Sequence, residues 1–210
     1  MDTQDLSDRA RTRLSLTCDE ENLPSFFLLL QQGVALDARL GATVEEFLCE
    51  QLGIERRYLQ ERINTIFLDG KPVDDAASAV IRDGSTLALS AALPGLVGAA
   101  FRKGGFYARL RDGISHAGES PTGVAGRGLV TLKLYNLVAK ELGTQLLGAG
   151  VLVKTDDLER FFSGRSDGFW GRCLHATVDD RDCPVSDVRQ GVWWQRSGLV
   201  MLTVSTPATG

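Results

Sequence analysis

The sequence predicts an α+β chain in two parts, a compact strand-and-helix domain followed by a second, β-rich α+β domain. Three observations carry this. Residues 1–98 hold 9 Lys/Arg against 16 Asp/Glu, a net −7, while residues 99–210 hold 14 against 11, a net +3. Glycine steps in the same place, 7 before and 16 after. Third, apolar alternation and a capped helix dominate the first part, and short alternating segments close the second. A chain of 210 residues suits one large or two small domains. With 43% hydrophobic and 24% charged residues it is ordinary globular material, not a disordered chain.

The elements follow in order. Residues 1–24 read as a flexible lead-in, with Cys18-Asp-Glu-Glu-Asn22 ahead of Leu23-Pro24. Phe26-Phe-Leu-Leu-Leu30 reads as a strand, Gln31-Gln-Gly33 as a hairpin turn and Val34 to Leu40 as the returning strand. Thr43-Val-Glu-Glu46 has capping-box form, and Val44, Phe47, Leu48 and Leu52 recur at helical spacing up to Gly53. Glu55 to Arg62 is a second, polar helical turn. Thr65-Ile-Phe-Leu68 is a strand, and Asp69-Gly70 is the strongest short-range hairpin dipeptide. Ala76 to Ile81 is a connector, Asp83-Gly84 a turn and Thr86 to Leu89 the closing strand.

That order, with Ala42-Thr-Val-Glu-Glu-Phe47, Ile66-Phe-Leu-Asp-Gly-Lys-Pro-Val73 and Arg82-Asp-Gly-Ser-Thr-Leu-Ala-Leu89, resembles the β-grasp (ubiquitin-like) fold. Within it the likeness is to the sulfur-carrier branch, the molybdopterin-synthase small subunit and the thiamine-pathway carrier. The resemblance covers residues 25–98 and implies a β-grasp domain there. Carriers of that branch act through a C-terminal Gly-Gly whose carboxylate is adenylated and thiolated. Here the closing strand runs into Ala91-Ala-Leu-Pro-Gly-Leu-Val-Gly98 and the chain continues. Residues 99–105, with Gly104-Gly105, read as an interdomain linker. The alternative is a Gly-Gly terminus released by proteolysis after Gly105.

Residues 106–210 form the second domain, of no assigned family. Gly118 to Gly128 is the most loop-like stretch. Leu129 to Leu134 reads as a strand, and Leu134 to Leu147 as a helix closed by Gly148-Ala-Gly150. Val151 to Val153 reads as a strand, and Thr155-Asp-Asp-Leu158 as a helix start. Phe169 to Val178, Val192 to Gln195 and Leu199 to Ser205 read as strands. No internal repeat is visible between the halves.

The candidate chemistry is sparse. Cys173, His175 and Cys183 are the one Cys/His cluster. On a regular strand Cys173 and His175 share a face, which allows co-ligation of a metal or a nucleophile–base pair. The alternative is a half-buried strand before an acidic turn. His116 sits in a Gly/Ser/Pro-rich loop, either as a catalytic group or as a solvated side chain. Gly123, Gly126, Arg127 and Gly128 are the candidate anion cradle, although the segment lacks P-loop and dinucleotide spacing. Arg102, Lys103, Arg109 and Arg111 interleave with aromatics. They are read as an interface for an acidic surface in preference to nucleic acid. Trp193 and Trp194 point to opposite strand faces, so one is available to a partner.

No apolar run reaches the roughly 18–20 residues of a membrane span, and Met1 to Arg13 has no apolar core of a secretory signal. The expectation is a cytoplasmic protein with Cys18, Cys49, Cys173 and Cys183 reduced. The composition names no cofactor. The β-grasp resemblance of the first half and the lack of a catalytic pattern point to a non-enzymatic interaction module with a protein partner or a second copy of the chain. The alternatives are an enzyme or small-molecule binder with a site at the domain junction, and a sulfur-carrier-like protein cleaved after Gly105.

Overall fold

The structure is a computed structural model that describes residues 10, 12–91, 126–191 and 198–207. In chain order the elements are β1 (Thr12–Cys18), a 3-10 turn (Glu20–Asn22), α1 (Leu23–Gln32), β2 (Val34–Arg39) and α2 (Val44–Glu46, continued as a π turn over Phe47–Gln51). Next come α3 (Arg56–Glu61), β3 (Thr65–Leu68), β4 (Lys71–Pro72), β5 (Thr86–Ser90), β6 (Arg127–Tyr135), α4 (Asn136–Ala149) and β7 (Val151–Lys154). The chain then forms α5 (Thr155–Ser163), α6 (Asp167–Gly171), β8 (Cys173–Val178), β9 (Arg181–Asp182), α7 (Val185–Gln190) and β10 (Leu199–Ser205). Among the described residues no helix is long and apolar enough to cross a membrane.

The chain divides into two compact units. One is Ala35–Glu141, and the other joins Asp2–Val34 to Leu142–Gly210.

In the first unit the strand order is β4-β3-β5-β6-β2. β5 lies antiparallel to β3 (Thr65↔Ser90 to Leu68↔Leu87) and parallel to β6 (Thr86↔Thr131 to Ser90↔Tyr135). The capping box forms as the sequence predicts. Thr43 Oγ1 accepts from the Glu46 amide at 3.1 Å, and the Glu46 carboxylate accepts from the Thr43 amide at 2.8 Å. Val44, Phe47 and Leu48 are fully buried below it. The turn at Asp69-Gly70 has φ of 51° and 77°, the two left-handed residues that a two-residue hairpin needs. The Asp69 carboxylate accepts from the Thr86 amide at 2.7 Å and from Ser85 Oγ at 3.1 Å, tying the hairpin tip to β5. Tyr58 donates to Glu141 Oε2 at 2.7 Å, and Arg62 pairs with the same carboxylate.

In the second unit the order is β7-β10-β1-β8-β9. β1 runs parallel to β10 (Thr12↔Val200 to Thr17↔Ser205) and antiparallel to β8. Its Leu14, Leu16 and Cys18 are buried in strict alternation. Residues 12–18 are therefore a central strand, where the sequence suggested a loose lead-in. The alternation of Leu14, Leu16 and Cys18 with Arg13, Ser15 and Thr17 is the period-2 signal of a half-buried strand, present in the sequence but not read there.

The expected strand at 26–30 and hairpin at 31–33 are corrected to the helix α1. Leu23, Phe26, Phe27 and Leu30 stand at i, i+3, i+4 and i+7 and are its buried face. Pro24 sits in the first turn, where its missing N–H costs nothing. Gly33 closes the helix, donating to the Leu29 carbonyl at 2.9 Å with φ 119°. Likewise Phe169 and Trp170 belong to α6, whose Ser166 cap accepts from the Phe169 amide, and the strand begins only at Cys173. Phe26, Phe161, Phe162, Phe169 and Trp170 form one ring cluster, with centroid spacings from 5.2 to 6.5 Å.

The element order is duplicated, which the sequence did not reveal. The succession strand, helix, strand, two helices, hairpin, connector and closing strand runs over Thr12–Ser90 and again over Arg127–Ser205. The hairpin tips match in detail. Asp179 and Asp180 have φ of 50° and 62°. Asp69 donates to the Thr86 carbonyl (2.9 Å) and accepts from its amide (2.7 Å). Asp179 does the same with Arg13 (2.8 and 2.9 Å). The opening strands are exchanged between units. β6 opens the second repeat but lies between β5 and β2, whereas β1 opens the first repeat but lies between β10 and β8.

Candidate binding cleft

The second unit carries a cleft of about 330 Å³ lined by Glu21, Asn22, Ser25, Arg165, Ser166, Phe169 and Arg172, with Gly164 and Gly168 at its rim. Local sequence explains its walls. On one side the 3-10 turn Glu20–Asn22 feeds directly into α1. On the other, α5 ends at Gly164, and Arg165 and Ser166 link it to α6. The lining ring of Phe169 is buried and packs on Phe26 and Phe161, also buried.

Arg165 is the most distinctive group. Its guanidinium carbon stands 4.2 Å from the centroid of the Phe161 ring, and its Nε donates to the Phe161 carbonyl at 3.0 Å. Stacking fixes the plane of the fork. Its terminal nitrogens make no hydrogen bond to a described residue. Arg172 pairs with Glu21, an exposed contact that raises the guanidinium's pKa through the carboxylate's hydrogen bond and charge. Asn22 is 3% exposed. Its amide nitrogen donates to the Phe169 carbonyl at 3.2 Å and faces Cys173 Sγ at 3.5 Å. The cleft thus presents one pre-oriented cationic fork, unpaired among the described residues and set beside the hydroxyls of Ser25 and Ser166, a geometry suited to a carboxylate or another planar anion.

The Cys/His cluster divides. Thr17 faces His175 and Cys18 faces Cys173, so Leu174 is an extra residue on β8, a β-bulge. The bulge breaks the alternation: Cys173 is buried, Leu174 and His175 are exposed, and Ala176 is buried again. The shared face expected for Cys173 and His175 is therefore lost. His175 Nε2 lies 3.1 Å from Asp182 Oδ1 on the outside. Cys183 is half-buried beside the Pro184 carbonyl, its thiol pushed up by burial and by Asp187. Among the described residues no group of three His, Cys, Asp or Glu side chains converges as a metal site.

Gly126, Arg127 and Gly128 take part in the start of β6. The Gly126 carbonyl accepts from the Leu40 amide at 2.9 Å, and Arg127 pairs with the buried Asp37. A Cβ on Gly128 would lie 2.5 Å from Asp83 Oδ1 and 2.7 Å from Leu40 Cδ2, so any larger residue here must displace both side-chain tips. Gly123, His116, Arg102, Lys103, Arg109, Arg111, Trp193, Trp194, the Gly104-Gly105 pair and the expected strand at 192–195 lie outside the described residues.

Sequence reasoning missed Asn22, Arg165 and Arg172. The available signal was Gly164-Arg165-Ser166-Asp167, a helix stop and a new cap around one arginine. What brings it opposite Asn22 is the placement of α1 in the second unit, which no local pattern encodes. Compared with protein-family models, with curated proteins and with solved structures, the chain gives no match.

Proposed function

We propose that the chain is a non-enzymatic interaction module of duplicated β-grasp-like design, whose cleft in the second unit receives an acidic group of a protein partner. The observation that carries this is Arg165, which lines the cleft stacked on Phe161, with no hydrogen bond from its terminal nitrogens to a described residue. A strand, a helical pair, a left-handed two-residue hairpin and a closing strand recur in both repeats, which supports the β-grasp reading. In the first unit the place expected for a strand at residues 26–30, beside β2, is taken by β6.

Assembly through the hairpin edges of the sheets is the less favoured route, because β4 and β9 are two residues each and offer few free backbone groups.

The test is fluorescence anisotropy with labelled acidic, neutral and basic peptides on the full-length protein, compared with Arg165→Ala. The expectation is binding selective for acidic peptides, weakened about tenfold or more by the substitution, in the range of one charge-assisted hydrogen-bonded pair. Equal binding of all three classes, or an Arg165→Ala protein that binds as the original does, refutes the assignment.

A further inference from the structure

Behind the cleft wall lie two thiols that the binding reading does not use. Cys18 is fully buried and Cys173 is 7% exposed. Their Sγ atoms are 3.4 Å apart, one thiol donating to the other, although the residues are 155 positions apart in the chain. They are direct cross-strand partners of β1 and β8. The Asp19 amide donates to the Arg172 carbonyl at 3.0 Å, so the ladder bond lies beyond the cysteine pair rather than across it. Cys18 and Cys173 thus occupy a non-hydrogen-bonded site of an antiparallel ladder, where Cα atoms stand about 4.5 Å apart and side chains are closest. That spacing is inside the range of roughly 4.4–6.8 Å that a disulfide accepts. With the sulfurs already 3.4 Å apart, closure draws them together by rotation of the two side chains.

The surroundings favour reaction. The Asn22 amide faces the Cys173 sulfur, and Cys173 Sγ lies 3.6 Å from the Phe169 carbonyl. Asn22, Phe169 and the neighbouring Arg172 all line the cleft, so a small oxidant in it is one side chain from the sulfur. The hydrogen bond from Cys173 holds the Cys18 thiol below its ordinary pKa, against the opposing effect of burial. The same pairing, with burial, pushes the Cys173 thiol up, so the pair loses its first proton as one shared unit. The other two cysteines have no such partner sulfur. Cys49 and Cys183 are half-buried, each with its thiol pushed up by burial and a nearby carboxylate.

We propose that Cys18 and Cys173 are a redox pair that closes to an intramolecular disulfide when a hydroperoxide enters the cleft, covalently tying β1 to β8. The atoms balance as follows. The thiolate of the pair attacks the terminal peroxide oxygen. The O–O bond breaks, leaving a sulfenic acid, and the departing oxygen takes up a proton to leave as water or alcohol. The second thiol then attacks that sulfur. The S–S bond forms, the S–O bond breaks, and hydroxide leaves with the second thiol's proton as water. Two thiols are oxidised and one hydroperoxide is reduced. The product is reopened by a dithiol through exchange. Such a reversible pair is the usual form of a disulfide in a reducing compartment.

The experiment uses the reduced full-length protein and equimolar hydrogen peroxide near neutral pH, quenched with N-ethylmaleimide in denaturing urea so that buried thiols are also alkylated, then intact mass and peptide mapping. The expected result is that two of the four cysteines escape alkylation, with a loss of about 2 Da for the two hydrogens removed. A single linked peptide pair should contain Cys18 and Cys173, and dithiothreitol should restore four alkylation sites. A Cys49→Ser/Cys183→Ser protein should close identically, and its urea midpoint should rise on oxidation and fall back on reduction. Four alkylated cysteines, a linkage through Cys49 or Cys183, or Cys18 and Cys173 recovered only as sulfinic or sulfonic acids each overturns the proposal. The mapping is read on the unmodified sequence, so it does not depend on a serine variant folding. It is also independent of peptide binding at Arg165, so the two readings fail separately.

Discussion

Replacing Phe26 with alanine tests whether α1 belongs to the core of the second unit. Phe26 is fully buried, and its ring lies 5.3 Å from both Phe161 and Phe169. Truncating a buried phenylalanine costs about 3–5 kcal/mol from lost transfer energy and the remaining cavity. Each aromatic pair adds roughly 0.5–1.5 kcal/mol beyond area. A loss of about 4 kcal/mol is expected. At a urea m-value of about 2 kcal/mol/M this moves the midpoint down by about 2 M. The reporter is Trp170, whose indole stands 5.2 Å from Phe162 and from Phe169. The chain has three tryptophans. In a Trp193→Phe/Trp194→Phe background Trp170 is therefore the sole emitter, and its unfolding transition should shift by the full amount. If Trp170 unfolds at its original midpoint while far-ultraviolet circular dichroism shows an earlier loss elsewhere, α1 packs apart from α5 and α6. A loss under about 1 kcal/mol equally refutes the ring cluster as the core of this unit.

Three other outcomes follow from the geometry. Thr43→Ala removes one half of the capping box at α2 and should cost about 1 kcal/mol by urea denaturation, with Thr43→Ser close to the original. Gly128→Ala forces a Cβ against Asp83, whose Oδ1 also accepts from the Leu129 amide at 2.8 Å. It should destabilise by about 1–3 kcal/mol, and Asp83→Ala in the same protein should recover part of the loss by opening space. Glu141 is held below the usual carboxylate range by hydrogen bonds from Arg62 and Tyr58. Its contribution is present above the unfolded carboxylate range of about 4.3 and is lost as pH falls through the lowered folded value. The unfolding midpoint of the original protein should therefore fall more steeply between pH 6 and pH 3 than that of Glu141→Gln, and parallel curves would contradict the pairing.

Local signals found local structure. Thr43 with Glu46, the Asp69-Gly70 hairpin, β2 and β5 were all readable because the residues that form them are within a few positions of one another. α1 was misread because Phe26-Phe-Leu-Leu-Leu30 is a continuous apolar run. Such a run fits a buried strand as well as a helix, and only burial of the i, i+3, i+4, i+7 set decides. The separation of Cys173 from His175 depends on one extra residue, Leu174, opposite β1, and a bulge is a property of the pair of strands. The cleft and the Cys18–Cys173 contact join the 3-10 turn and β1 to residues near 170, so neither could be read from spacing. The duplication was hidden because the repeats share turn chemistry and element order more than side chains. Leu68-Asp69-Gly70-Lys71-Pro72-Val73 and Val178-Asp179-Asp180, followed by Pro184-Val185, are its clearest trace.

The exchange of opening strands has a consequence for synthesis. β1 is synthesised well before its neighbours β8 and β10: Cys18 of β1 and its partner Cys173 of β8 are 155 positions apart. Until β8 and β10 emerge, the buried apolar side chains of β1 have no neighbouring strand of their unit's sheet. The first unit can close earlier, as soon as β6 is translated and joins β5. The growing chain therefore carries an uncovered β1 while the intervening residues are made, and pairing it is a long-range docking with a high entropic cost of closure. In a polysome, uncovered β1 strands of neighbouring chains are exposed together, so slowed translation past β6 should favour strand-swapped dimers over monomers.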